Sequence, residues 1–493
     1  MKLRDIFDNT KFAEDVGDIV ITGICIDSRK VAPGDIYVCI EGLRADGHDF
    51  IDQAAERGAV AVLHKKGKRG LSDVKLPKIG VADTRHALAF LCKKFFGDPT
   101  ANMKLIGVTG TNGKSSTVAF VEEILRDCGK KVGAIGTMGV RACGKVLDIP
   151  FATSTTPDTI ELYQMFVEMA KKNVEYVVME VTSHALALEK VAALRFALGL
   201  FTNLSQDHLD FHGTMENYRL AKARLFDLCD KGVINHDDDT RDFLLKYAKI
   251  PMITYGLEPT ADYYARDMML SRNKISYTIE NDDVEVNVPG LFTVYNTLCA
   301  YAACRELGLP AKKVTAALGK VAGVHGRIQS IPNLHGFTVI VDYAHTPDGL
   351  ENIIKSCRDF TENHIITVFG CGGDRDPVKR PIMGEVAGRL SDFCIITSDN
   401  PRNENPDEII AQVEAGVKQA GCEYKKITDR REAIVAAIDL AREEDCVIIA
   451  GKGHEDYQEF ENGRRVFFDD AKIAEEALRI EWLEEIKRKN NQK

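Results

Sequence analysis

Short apolar runs alternate with longer amphipathic stretches along most of this chain, a rhythm that predicts strands separated by helices. Near the start, residues 19–26 and 35–40 read as strands joined by the turn-rich segments Asp27-Ser28-Arg29 and Ala32-Pro33-Gly34-Asp35. A helical pattern over 50–57 and a strand over 59–63 complete a small α/β unit, which ends at the linker Phe96-Gly97-Asp98-Pro99-Thr100. Strands are then expected at 105–109, 131–136, 176–180, 197–202 and 231–235, with helices beginning at Lys114 and spanning 159–172. Apolar strands between amphipathic helices imply a mostly parallel, doubly wound sheet. From 250 to 290 strict alternation takes over, as in Lys274-Ile275-Ser276-Tyr277-Thr278-Ile279, and predicts antiparallel strands at that sheet's edge. A third, Rossmann-like α/β block has strands at 338–342, 364–369, 393–397 and 446–450. The expected division is 1–100, 101–332 and 333–493, in keeping with roughly 150 residues per domain.

The most informative transition is Leu105-Ile106-Gly107-Val108-Thr109-Gly110-Thr111-Asn112-Gly113-Lys114-Ser115-Ser116, where an apolar run breaks into a glycine-rich turn and then a helix. Gly110 and Gly113 allow backbone N–H groups to face one concavity, Lys114 adds a mobile cation, and Ser115 offers a hydroxyl to Mg²⁺. The strict phosphate-loop spacing asks for a glycine where Val108 stands. The order of strand, glycines, lysine, hydroxyl and helix still predicts a site for ATP or GTP.

A formal net charge of −10 over 493 residues argues against nucleic acid as a partner, because a duplex binder needs a basic face. No uncharged run approaches the ~18 residues of a membrane span, and the first residues lack an apolar signal core, so a cytoplasmic protein is expected. Small molecules are the expected partners, and a monomer the expected state. The 13 cysteines include no C-x-x-C pair, and the histidines no H-E-x-x-H, which favours reduced, buried thiols and an oxygen-ligated Mg²⁺ over zinc.

Candidate ligands gather at predicted strand ends. Glu180, within Glu180-Val181-Thr182-Ser183-His184, could bind Mg²⁺ or cap a helix. His208, in Asn203-Leu204-Ser205-Gln206-Asp207-His208, could be a metal ligand or a satisfied polar core residue. Lys222, in a helical segment with Leu220, Ala223 and Phe226, could be solvated; alternatively, partly buried and of lowered pKa, it could add CO₂ to become an anionic carbamate.

Together with Asp342-Tyr343-Ala344-His345-Thr346-Pro347-Asp348 and Gly451-Lys452-Gly453-His454-Glu455-Asp456, these segments resemble, in order and over nearly the whole length, the ATP-dependent Mur ligases of bacterial peptidoglycan synthesis. The resemblance implies that a carboxylate of a UDP-N-acetylmuramoyl peptide attacks the γ-phosphate of ATP and that an amine then displaces phosphate from the acyl phosphate. It implies nucleotide contacts at Gly110 to Ser116, Asn296, Arg327 and Asp342, and metal ligation by Ser115, Glu180, His208 and a carbamylated Lys222. Lys114, Lys222, Glu180 and His208 would be the catalytic group. Ser28 and Arg44-Ala45-Asp46-Gly47-His48, otherwise readable as surface turns, would hold the uridine end. Thr155, Thr156 and Ser183 would hold the muramoyl peptide, with Lys190 where the family has arginine and Leu188 where some relatives have glutamine.

Asp399-Asn400-Pro401-Arg402 resembles the signature of members that add meso-diaminopimelate, and Arg402 supplies a fork of donors for the distal carboxylate that lysine lacks. Arg380, which taken singly reads as a surface charge, and Gly451 and Glu455 match the remaining acceptor contacts, Glu455 receiving the distal ammonium. Competing readings are a lysine-adding member, a folylpolyglutamate synthase, and a nucleotide-regulated binding scaffold without ligase activity.

Overall fold

A computed structural model describes residues 1–6, 16–42, 45–68, 75–147, 149, 155–272, 274–321 and 323–479. Three sheets with helices on their faces follow one another along the chain, together with a two-stranded hairpin. The first sheet is parallel and four-stranded, in sequential order Gly23–Cys25, Asp35–Val38, Ala61–Lys65 and Lys78–Val81. Its last strand and the helix Thr84–Phe95 escape the pattern reading, although Asp83 caps that helix by accepting from Arg85 N at 2.8 Å and His86 N at 2.9 Å.

The second sheet has eleven strands, and its middle positions the phosphate loop. Lys104–Thr109 lies between Phe196–Phe201 and Tyr176–Glu180, parallel to both, so its carboxyl end is fixed from two sides. The antiparallel expectation for 250–290 is corrected in part. Met252–Gly256 pairs in parallel with Gly232–Asn235, because the intervening helix Arg241–Tyr247 returns the chain in the same direction; the antiparallel ladders lie among Tyr263–Leu270, Ile275–Ile279 and Asp282–Val286. Helices Lys114–Asp127 and Leu291–Glu306 bury Val118, Val121, Ile124, Leu298 and Tyr301 against one sheet face. On the other face, Leu162, Tyr163 and Phe166 of Thr159–Lys171 share a core with Leu88 and Leu91 of the first unit.

The third sheet runs in the order Gln329–Ser330, Thr338–Asp342, Cys446–Ala450, Ile365–Phe369, Phe393–Ile396 and Glu423–Lys426, all parallel except the first pair. Its two faces have their own cores, one around Ile353, Met383 and Val413, the other around Ile434, Ile438 and Ala474. Every cysteine is free, and all but Cys128, Cys143 and Cys422 are buried. Among the described residues no helix is long and apolar enough to cross a membrane.

Candidate functional site

The phosphate-loop geometry depends on two glycines. Gly113 sits at φ +80° as the residue before helix Lys114–Asp127, and a Cβ there would lie 2.4 Å from Asn296 Oδ1; a Cβ on Gly110, at φ +150°, would lie 1.9 Å from Thr202 Oγ1. Not every amide of the turn is left to face the concavity that Gly110 and Gly113 allow. Thr111 N donates to Asn203 O and Asn112 N to Asn203 Oδ1, both at 2.9 Å, so the neighbouring loop takes the first two donors of the turn. The amides at the start of the helix, from Lys114 through Ser116, have no carbonyl a turn below them and remain the natural anion-facing group. The cation is not loose either: Lys114 Nζ donates back to Gly110 O at 3.0 Å and Thr111 O at 2.7 Å. Burial holds its pKa below the usual lysine value, and Arg327 pushes the same way against the pull of Glu180.

Lys222 is 2 % exposed, which overturns its reading as a solvated side chain. Its Nζ donates to Gly110 O at 2.7 Å and stands 4.4 Å from the Tyr218 ring centroid. Burial lowers its pKa well below the usual value, and the charge of Lys114 lowers it further. Glu180 is buried and accepts from Thr137 N at 2.8 Å and Thr137 Oγ1 at 3.3 Å; it is not a helix cap, since Thr182 caps Ser183–Ala187. His208 is no core residue: it takes φ 52°, its ring is half exposed, and it lies 3.3 Å from Asp207 and edge-on to His184. Ser115 is buried at the helix start.

Around these groups Thr156 Oγ1 donates to Glu180 O at 3.0 Å, and the Thr155 hydroxyl lies 3.2 Å from that of Thr137. Ser183 Oγ meets His212 Nε2 at 2.9 Å, a partnership the sequence reading missed. Lys190 is paired with Asp158 Oδ1 at 2.6 Å, so its charge is already answered within the protein. In the first unit Ser28 is buried and donates to Gln53 Oε1 at 2.6 Å, and His48 is buried between Asp46 and Lys65 N, which corrects the reading of both as surface turns. Arg44 lies outside the described residues. Glu41, Asp46 and His48 come within 4.8 Å of one another, but Lys65 and Lys68 already neutralise the two acids.

A cavity of about 450 Å³ runs from the phosphate loop to the third sheet; Asn112, Gly113 and Ser116 line one wall, Asn296 and Tyr295 its floor, and Arg327, Asp342 and Ala344 the other wall. Asp342, buried at the end of its strand, accepts from Ile328 N at 2.9 Å and Ala344 N at 2.8 Å. Burial raises its pKa, and Arg327 opposes the rise. The Arg327 guanidinium stacks 4.6 Å from the Tyr343 ring centroid, and its buried Nε has no acceptor among the described residues. Burial, then the negative charge of Glu455, push the Tyr343 phenol up to about 12, with Asp399 acting in the same sense, so Tyr343, behind the Arg327 wall of the cavity, lies within the electrostatic reach of the Asp399 turn.

Beyond Tyr343, Lys452 is fully buried and joins three predicted residues: its Nζ donates to Asn400 Oδ1 at 3.0 Å and Glu455 Oε2 at 3.2 Å and lies 3.8 Å from Asp399. A lysine between two glycines at a strand end was its signal in the sequence. Gly451 permits this closeness, since a Cβ there would sit 2.6 Å from Asp399 Oδ2. Pro401 leads into Arg402, which takes a left-handed φ of 50° and donates from Nη1 to Gly373 O at 2.7 Å. Arg380 is 1 % exposed, not a surface charge; it grips Glu404 with two bonds of 2.8 Å and reaches Gln412 at 2.9 Å.

Three family descriptions match this chain: "Mur ligase family, catalytic domain" over residues 20–96, "Mur ligase middle domain" over 108–304, and "Mur ligase, glutamate ligase domain" over 326–453. UDP-N-acetylmuramoyl-L-alanyl-D-glutamate--2,6-diaminopimelate ligase 2 of Clostridium acetobutylicum is 43% identical over 485 residues, which cover 97% of this chain and 100% of that one. The UDP-N-acetylmuramoyl-L-alanyl-D-glutamate--2,6-diaminopimelate ligase of Geobacillus thermodenitrificans is 42% identical over 477 residues, 94% of this chain and 96% of its own. A solved structure of a UDP-N-acetylmuramoyl-L-alanyl-D-glutamate--2,6-diaminopimelate ligase superposes with a TM-score of 0.71 at 31% identity, covering 98% of this chain and 99% of that chain. The MurF ligase of Thermotoga maritima in complex with ADP shares the fold, with a TM-score of 0.58 at 18% identity over 94% and 99% of the two chains. On matches that run nearly end to end, the chain belongs to the Mur ligase family.

Proposed function

We propose that this chain is an ATP-dependent ligase that adds meso-2,6-diaminopimelate to the D-glutamate of UDP-N-acetylmuramoyl-L-alanyl-D-glutamate, with division into functional units at 1–100, 101–332 and 333–493. The observation that carries the reading is the single cavity that joins Asn112 to Ser116 with Arg327 and Asp342, backed by Tyr343 and the Asp399–Arg402 turn. The names of the relatives support the substrates.

In this reading the D-glutamate carboxylate oxygen attacks the γ-phosphorus of ATP and ADP leaves. The free amine of the acceptor then attacks the acyl carbon, the acyl C–O bond breaks, phosphate departs and the nitrogen loses a proton. Lys114 exchanges its two carbonyl contacts for phosphate oxygens, and Arg327 brings a second fixed charge from the opposite wall. Asn296 and Asp342 orient the nucleoside. Thr155, Thr156, Ser183 and Lys190 hold the muramoyl peptide, and Ser28 the uridine end. Asp399, Asn400, Gly451 and Glu455 hold the acceptor, with Arg402 on its distal carboxylate and Arg380 bracing the wall through Glu404.

The donor chemistry suits Mg²⁺ with one change. Ser115 and Glu180 offer hard oxygen donors and His208 a nitrogen, but Lys222 as an ammonium would repel a cation. Its burial and lowered pKa favour the neutral amine, which adds to CO₂ and sheds a proton to give a carbamate whose single negative charge is shared by two oxygens. Mg²⁺ held by this set supplies positive charge against the transferred phosphoryl group.

The test is release of ADP and phosphate by the purified chain. Turnover is expected only with ATP, the muramoyl dipeptide and meso-diaminopimelate together. Robust turnover with L-lysine and none with diaminopimelate would reject the acceptor, and partner binding that survives Lys114→Ala without any ligation would favour a scaffold.

A further inference from the structure

Arg402 does not face an empty pocket. The hairpin Tyr457–Phe460 and Arg464–Phe467 lies against its turn, and Arg402 N donates to Glu459 O at 3.0 Å. This backbone contact brings Glu459 Oε2 to 3.6 Å from Arg402 Nε and 3.8 Å from Arg465 Nη2. The side chains of Arg402 and Glu459 are 20% and 21% exposed, at the boundary between interior and solvent.

A fixed carboxylate beside the guanidinium weakens its attraction for any incoming anion. Such a group helps recognition only if the ligand brings a cation to the same place. The distal carbon of 2,6-diaminopimelate carries both a carboxylate and an ammonium. Arg402 Nη1 is committed to Gly373 O, Nε faces Glu459, and Nη2 has no protein acceptor among the described residues. Glu455, assigned to the distal ammonium on the sequence, already accepts at Oε2 from Asn400 Nδ2 at 2.9 Å and Lys452 Nζ at 3.2 Å. The nearest cations to Glu459 stand beyond hydrogen-bond distance, so its oxygens retain more accepting capacity.

We propose that Glu459 is a specificity residue of the acceptor site, reading the distal ammonium while Arg402 reads the distal carboxylate. The pair thereby selects a zwitterionic end over a bare carboxylate, which Glu459 repels, and over a bare ammonium, which Arg402 repels. The inference rests on the diaminopimelate-ligase reading.

The experiment compares meso-diaminopimelate with 2-aminopimelate, which keeps the distal carboxylate and lacks the distal ammonium. In the full-length enzyme, Glu459→Gln is expected to raise KM for diaminopimelate about tenfold, the size of one lost charge-assisted hydrogen bond. KM for 2-aminopimelate should fall or stay unchanged, with kcat and KM for ATP preserved. Arg465→Gln, which frees Glu459 from its second cation, should widen the preference for diaminopimelate and gives an independent reading if the first variant folds poorly. An unchanged ratio of the two KM values in both variants overturns the role of Glu459 while leaving the ligase reading intact. Wild-type enzyme that ligates neither acceptor overturns both.

Discussion

Lys114 and Lys222 both donate to the carbonyl of Gly110, at 3.0 and 2.7 Å. Two lysine side chains converge on one oxygen in a buried site, and burial depresses the pKa of each. Keeping both protonated there is electrostatically costly, a cost that on the proposed function a triphosphate beside Lys114 and carbamylation of Lys222 would each relieve.

Lys114→Ala removes the cation that the proposed function places on the phosphates. Ligation rate should fall by about 10²–10³, the usual cost of losing one preorganised transition-state donor, while circular dichroism and urea unfolding stay near wild type. A variant with near-normal kcat would place the phosphoryl group elsewhere.

Lys222→Ala should be nearly inactive and regain part of its rate with added formate or acetate, which can enter the vacated space as carboxylates. Absence of rescue at any concentration counts against the carbamate and leaves the ligase reading standing.

The same lysine sets a pH signature for stability. Its folded pKa lies below the unfolded value of 10.5, so the unfolded chain binds the extra proton and native stability rises with pH between those two values. Lys114 has the same sign. Urea midpoints of wild type minus Lys222→Met should therefore climb from neutral pH toward pH 10; a flat difference would mean that Lys222 is already modified or is not buried as described.

Arg402→Lys keeps the charge and loses the planar fork. KM for diaminopimelate is expected to rise by a factor corresponding to about 1.5–3 kcal/mol, with KM for ATP unchanged. Equal KM values would take Arg402 out of the acceptor pocket.

Arg430 and Asp470 form a fully buried pair, with bonds of 2.8 and 2.7 Å, and Arg430 also donates to Ala450 O at 3.0 Å beside the acceptor turn. Arg430→Met should cost about 3–5 kcal/mol in urea unfolding because it strands a buried carboxylate, and Arg430→Met with Asp470→Leu should recover most of it.

Strands buried on both faces were the most legible elements. Tyr176–Glu180, Thr338–Asp342 and Cys446–Ala450 match their predicted bounds because continuous β-branched and apolar runs leave little choice of boundary. The order of the eleven-stranded sheet was not legible, since it depends on pairings between strands far apart in sequence. Among candidate site residues, position at a predicted strand end singled out Glu180, and family resemblance Lys222 and Asp399, but neither told what each touches. That Arg380 would spend its fork on Glu404, or Asn203 take the amides of Thr111 and Asn112, follows from loops meeting in space.

Gly326 stands at φ +67°, so close to the third sheet's loop that a Cβ would lie 2.0 Å from His454 N and 2.2 Å from the Gly453 carbonyl carbon. The connecting strand of polypeptide is therefore clasped by the lobe it enters, and Arg327, stacked on Tyr343, is anchored there as well. Any swing of that lobe must pivot upstream of Gly326 and carry Arg327 along. On the proposed function, opening would withdraw Arg327 and the Asp399–Arg402 turn in one movement, tying nucleotide activation to the presence of the amine's binding surface.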